Sequence, residues 1–160
     1  MPAIKKLDNS LAGDDMRAFT FQLMNRPLFL PDIYRHYQTL TQKITELLKT
    51  SPELWGFYAG PELVAVAGVM NIQQSHDARF LFWAWDKRAL TRDSVKWLGE
   101  YLDWIMDCFQ LSRVTVQTPC ENLARLCRLL GFKTEGRFAR GFKHGGKLYT
   151  LLQLRKLREG

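Results

Sequence analysis

The chain has 160 residues, 46% of them hydrophobic and 24% charged, an ordinary composition for a globular protein. A single domain over 1–160 is expected, and a chain of this size buries about two-thirds of its unfolded surface. That excludes a disulfide-stapled miniprotein, a disordered tail and a collagen-like repeat. Lysine and arginine number 23 against 16 aspartates and glutamates, a net charge of +7 that suits an anionic partner.

Residues 1–8 carry charge without an apolar segment, so no secretory leader is expected. No apolar run approaches the roughly 18 residues that span a bilayer, so no membrane is expected as partner. Residues 4–7 read as a short first strand. Asp14 and Asp15 suit a helix N-terminus, where carboxylates meet free N–H groups and the positive end of the dipole. Met16, Phe19 and Leu23 follow on one helical face, and Asn25, Arg26 and Pro27 break it. Pro31 and Asp32 open a second helix with an apolar face of Ile33, Tyr37, Leu40, Ile44 and Leu47, and Pro52 ends it.

Residues 55–58 and 63–72 read as two strands joined by the turn Gly60-Pro61-Glu62, hence an antiparallel hairpin. Residues 78–85 are almost wholly apolar, which predicts a central strand buried on both faces. From 92 to 109 the period is helical, with Val95, Leu98, Leu102, Ile105 and Phe109 in one stripe. Trp97, Tyr101 and Trp104 form a second stripe beside it, suited first to core packing and then to a partner surface. Residues 113–117 read as a strand and 121–130 as a helix that Gly131 caps, because glycine takes the left-handed conformation without Cβ strain. The strand–helix–strand order predicts a parallel crossover. Residues 133–142 and 147–154 flank His144-Gly145-Gly146 as a last hairpin. The order β-α-α-β-β-β-α-β-α-β-β places the chain in the α/β class, as a mixed (α+β) sheet with helices on its faces.

The cysteines, Cys108, Cys120 and Cys127, are odd in number and form no C-x-x-C pair. An oxidising compartment is therefore not expected, and the cytoplasm is. His36, His76 and His144 are scattered, so no metal site is expected.

The segment 120–140 holds a helix with Leu123, Leu126 and Leu130, then Gly131-Phe132, Glu135-Gly136 and Arg140. This run and the strand order resemble the GNAT (GCN5-related N-acetyltransferase) family, nearest its ribosomal-protein and small-molecule acetyltransferase branch. The resemblance covers about residues 3 to 155. It implies an acyl-CoA N-acyltransferase fold, with acetyl-CoA as co-substrate and a primary amine on a small molecule or peptide as acceptor. The family's pyrophosphate loop, Q/R-x-x-G-x-G/A, falls on Arg88-Ala89-Leu90-Thr91-Arg92-Asp93. Thr91 and Asp93 stand where glycines would let backbone N–H groups close on phosphate. Lys87, Arg88 and Arg92 compensate with charge-assisted hydrogen bonds. The tyrosine that protonates the leaving thiolate in the family falls on Cys127, and Tyr149 is a remote substitute. The family's helix asparagine falls on Cys120, with Asn122 two positions on.

Acetyl transfer needs a base for the amine and an N–H for the developing oxyanion. By the resemblance, a bulge on the fourth strand supplies that N–H, and Phe82, Trp83, Ala84 and Trp85 carry the backbone that pairs with the cofactor. His76, with its neighbour Asp77, is the candidate base, since imidazole titrates near neutrality. The chain is similar also to small GNAT-like proteins of tailed phages. That likeness implies the alternative of a non-catalytic virion or head-assembly protein without CoA binding. The last strands and the Trp97 stripe are candidate surfaces for a homodimer or an assembly partner. The basic tail Arg155-Lys156-Leu157-Arg158 comes with no nucleic-acid-reading motif, so nucleic acid is not expected.

Overall fold

The computed structural model describes residues 2–7, 53–84, 86–144 and 146–159. The helices expected over 14–23 and 31–47, and Trp85, lie outside the described residues. Within them the strands are β1 (Ala3–Leu7), β2 (Glu53–Ala59), β3 (Glu62–Gln73), β4 (Asp77–Ala84), β5 (Arg113–Thr118), β6 (Lys133–His144) and β7 (Lys147–Leu157). The helices are α1 (Arg92–Cys108) and α2 (Glu121–Leu129), with a 3-10 turn at Lys87–Ala89.

The strands form one seven-stranded sheet in the order β1-β2-β3-β4-β5-β7-β6. Neighbours run antiparallel except β4 and β5, which are parallel across the α1 crossover. Gly60, at φ +60, makes the tight β2–β3 turn that the sequence predicted. The apolar strand β4 sits fourth of seven, and Phe80, Leu81 and Phe82 are buried, so both of its faces are covered there.

Register decides the faces, because alternate residues of a strand point to opposite sides. Phe82 pairs with Ala67, Phe80 with Val69, and Val116 with Leu154, all on one face. Trp97 of α1 lies 5.4 Å from Trp55 and 5.6 Å from Phe57, ring centre to ring centre, which sets α1 over that same face. Its core stripe is Leu98, Leu102 and Ile105, fully buried as the helical period predicted. Of the second stripe, Trp97 stacks on Tyr101 at 5.1 Å, while Trp104 is 51% exposed. The stripe is therefore core for two residues and surface for the third.

α2 ends in two reversed hydrogen bonds: Phe132 N–H donates to Cys127 O at 3.0 Å, and Gly131 N–H to Arg128 O at 3.1 Å. This closure needs the left-handed backbone that Gly131 adopts at φ +95. It turns Phe132 back onto Phe80, 5.8 Å away, and so ties α2 to the centre of the sheet.

Candidate functional site

Because β4 and β5 are parallel, their carboxyl ends lie at one end of the sheet. They pair only through Asp77↔Arg113, Ala78↔Val114 and Arg79↔Thr115, yet β4 continues to Ala84 and β5 to Thr118. The strands therefore part toward their carboxyl ends, where open α/β sheets hold ligands. α1 and α2 both begin at this end.

The connection from β4 to α1 is built from local hydrogen bonds. Arg88 N–H donates to the Asp86 carboxylate at 2.9 Å, Ala89 N–H to Asp86 O at 3.1 Å, and Leu90 N–H to Lys87 O at 3.0 Å. Three consecutive amides are thus spent inside the turn, which is not the open nest of a glycine-rich phosphate loop. Thr91 then caps α1: its Oγ1 accepts from Ser94 N–H at 3.1 Å and bonds the Ser94 hydroxyl at 2.9 Å. The N–H groups of Arg92 and Asp93 find no acceptor within the helix and stand at the positive end of its dipole.

Facing this segment across a cavity of about 550 Å³ is α2. Leu90, Val95, Leu126 and Leu129 form apolar walls; Lys87, Thr91, Arg92, Asn122 and Arg125 supply the polar groups. Lys87, Arg92 and Arg125 are exposed and meet no carboxylate among the described residues. Four of the expected cofactor residues (Lys87, Thr91, Arg92 and Asn122) are therefore brought together. Arg125, Leu126 and Leu129 join them from outside the expected set. They follow Asn122 at i+3, i+4 and i+7, the spacing of one helical face, so the helical period is the signal that extends the site to them.

Arg88 is not on this cavity. Its guanidinium donates to Asp86 at 2.7 Å and to Glu62 at 2.6 Å, which hold it more firmly protonated than usual, and the Glu62 pair pins the turn to the start of β3. Phe82 and Ala84 point their side chains into the core, and the half-buried Trp83 faces the other side of the sheet. The bulge expected on the fourth strand is absent from 79–84. The β3–β4 register runs unbroken from Arg79 to Ala84, and its shift falls at Met70/Gln73, at the opposite end.

The expected proton carriers lie elsewhere. His76 and Asp77 are at the amino end of β4, about 23 Å from Ala84 at roughly 3.3 Å per residue. There the His76 carbonyl accepts from Ser112 N–H at 3.0 Å and from its hydroxyl at 2.8 Å. Asp77 faces Arg113 at 3.9 Å, and Arg113 reaches on to Glu135 at 3.3 Å. Gln153 and Arg113 hold the Glu135 carboxyl below its usual range. These residues pin the sheet at the end remote from the cavity.

Cys127 is fully buried on the core side of α2, and burial pushes its thiol up to about 12. A thiol held there is a poor proton donor to a thiolate of about 8.5. Its consequence is for stability. From pH 9.0 to about 12 the unfolded chain releases the thiol proton and the folded chain keeps it. Unfolding is therefore favoured as pH rises, by up to about 1.4 kcal/mol per pH unit. Cys127→Ala is expected to flatten this part of the profile. Denaturant midpoints of both proteins across the same alkaline range measure it, since every other group titrates in both.

No protein-family model matches the sequence, and no curated protein matches it. The fold has solved counterparts. The Vibrio cholerae spermidine N-acetyltransferase in complex with CoA and spermine superposes with a TM-score of 0.70 at 16% identity, over 97% of this chain and 94% of that one. A chimera of the Vibrio cholerae enzyme SpeG with hSSAT superposes with a TM-score of 0.71 at 16% identity, over the same shares of 97% and 94%. With its strand order, its parallel β4–β5 pair and this superposition, the chain has the GNAT fold.

Proposed function

We propose that the chain is an acetyl-CoA-dependent N-acetyltransferase, moving an acetyl group from acetyl-CoA to a primary amine of a small molecule or peptide. The observation that carries this reading is the cavity at the parting ends of β4 and β5. Beside the start of α1 it holds Lys87, Arg92 and Arg125, which have no carboxylate partner among the described residues. A diphosphate matches those donors: side-chain cations give charge-assisted hydrogen bonds, and the Arg92 and Asp93 N–H groups add the helix-end contribution. The apolar walls suit an uncharged pantetheine arm leading toward the gap beside the 82–84 segment. The fold lends support through the spermidine N-acetyltransferase that holds CoA and spermine.

In the reaction an unprotonated amine nitrogen attacks the thioester carbon. The C–N bond forms, the C–S bond breaks, the nitrogen releases a proton and the thiolate takes one up. The chain's contribution in this reading is to hold the thioester in place in the gap. His76, Asp77 and Cys127 receive no part in proton transfer, two being at the far end of β4 and one inside the core.

Calorimetric titration with acetyl-CoA and with CoA tests the reading. Micromolar binding is expected, and no heat at millimolar cofactor would overturn it. Arg88→Ala is expected to change the affinity by less than about threefold, since an exposed ion pair away from the ligand contributes little. A much larger loss on that substitution would mean that Arg88 leaves Glu62 to meet the cofactor.

A further inference from the structure

The net charge is concentrated at the carboxyl end of the chain. Residues 133–157 hold seven lysines and arginines and one glutamate, and no aspartate or glutamate occurs between 136 and 158. The topology sets much of this charge beside the cavity. β5 pairs with β7 only from Leu152 to Leu157, with Leu152 opposite Thr118, the last residue of β5. Beyond that pair β6 and β7 continue as a two-stranded ribbon, about 17 Å long at roughly 3.3 Å for each of the β7 residues 147–151. The ribbon leaves the sheet at the end where β4 and β5 part and where α1 and α2 begin.

Arg137, at the base of the ribbon, and Arg140, Lys143 and Lys147 along it are all exposed. None meets a carboxylate among the described residues; Lys147 lies over the Tyr149 ring at 5.5 Å. Phe138 and Leu148, 49% and 48% exposed, lie between these cations. β6 is the last strand of the sheet, so its outer side has no neighbouring strand among the described residues. Its bulge between Phe138 and Phe142, with Arg140 at φ +56, and its cations disfavour pairing with a second β6 of the same charge. Among the described residues the carboxylates at this end do not offset the ribbon: Asp86 and Glu62 are taken by Arg88, and Glu121 by Arg128 at 3.0 Å. Asp93 sits at the start of α1, where the helix dipole holds it.

We infer that the acceptor amine is carried by an acidic peptide, which the ribbon binds along its length. Cations spread over several strand positions, with apolar side chains between them, match an extended acidic chain better than a compact anion. A polyamine would meet only like charge there. The inference rests on the proposed acetyl-CoA reading, because it takes the cavity beside the ribbon as the acyl-donor site.

The test uses the full chain saturated with CoA, and two fluorescein-labelled peptides with free N-terminal amines. One carries four glutamates and the other four lysines at the same positions. The acidic peptide is expected to bind at least about tenfold more tightly at low salt, and to lose that margin at high salt. Arg140→Glu, Lys143→Glu and Lys147→Glu together are expected to reverse the preference while CoA affinity stays within about threefold, since exposed charges outside the cavity act on it weakly. Equal binding, tighter binding of the lysine peptide, or a preference that survives the reversal would overturn the inference with CoA binding intact. Failure of CoA to bind in the same titration would overturn the acetyltransferase reading and this inference with it, so the two failures are told apart.

Discussion

Replacing Lys87, Arg92 and Arg125 together by alanine is expected to weaken acetyl-CoA binding by about a thousandfold. A hydrogen bond to a charged group contributes about 1.5–3 kcal/mol. Three at the low end come to roughly 4 kcal/mol, or three powers of ten in affinity. The three side chains are exposed and unpaired among the described residues, so their removal leaves the core untouched. The melting temperature is therefore expected to stay within a few degrees while the titration heat disappears at micromolar cofactor. Binding that survives the triple substitution would show that the phosphates lie elsewhere, and the proposed function would lose its support. Neighbouring charges couple, so single substitutions are expected to sum to a different total from the triple.

Phe82→Ala is expected to have the opposite signature. The ring is fully buried at the centre of the sheet and meets Phe57 edge-on at 5.7 Å. Truncating such a side chain costs about 3–5 kcal/mol, the lost transfer energy plus the cavity left behind. That is a large part of the roughly 5–15 kcal/mol that holds a domain together. At about 2–4 °C per kcal/mol for a chain of this size, the melting temperature is expected to fall by about 6–20 °C. The folded fraction is expected to keep most of its acetyl-CoA affinity, because the ring does not line the cavity. Calorimetric melting and titration of one preparation measure both. A loss of binding with an unchanged melting temperature would contradict the assignment of Phe82 to the core.

The two variants separate what was legible in the sequence from what was not. Strand and helix limits were legible because their causes are local. The Gly131 closure and the Leu98–Leu102–Ile105 stripe each depend on residues within a few positions. Part of the site was legible for the same reason: Lys87, Thr91 and Arg92 lie at one helix start and Asn122 at the next. The assignment of His76 as the base overlooked the length of the strand that follows it, which keeps it from the cavity. Residues at opposite ends of an eight-residue strand cannot meet on one small group.

Arg88 was a different matter, whereas Cys127 reads as a small buried side chain at the helical spacing of Leu123, Leu126 and Leu130. In the sequence Arg88 is one basic residue among three, and nothing nearby distinguishes it from Lys87 or Arg92. Its partner Glu62 lies 26 positions away, across the β3–β4 hairpin. Cys127 differs from the cavity-lining Leu126 by one helical step of about 100°, which turns it into the core.

The sequence by itself determined the elements, their order and the basic character of the chain, because periodicity, capping and turn chemistry act over a few residues. Only the tertiary structure decided which cations are free to meet an anion. Neutralising a charge takes a carboxylate within about 4 Å, and residues far apart in the chain supply it when the sheet assembles. Arg88 was spent in that way on Glu62, while Lys87, Arg92 and Arg125 stayed open to the cavity. The ribbon cations stayed open because the hairpin outruns β5, a difference in strand length that matters only once the strands are paired.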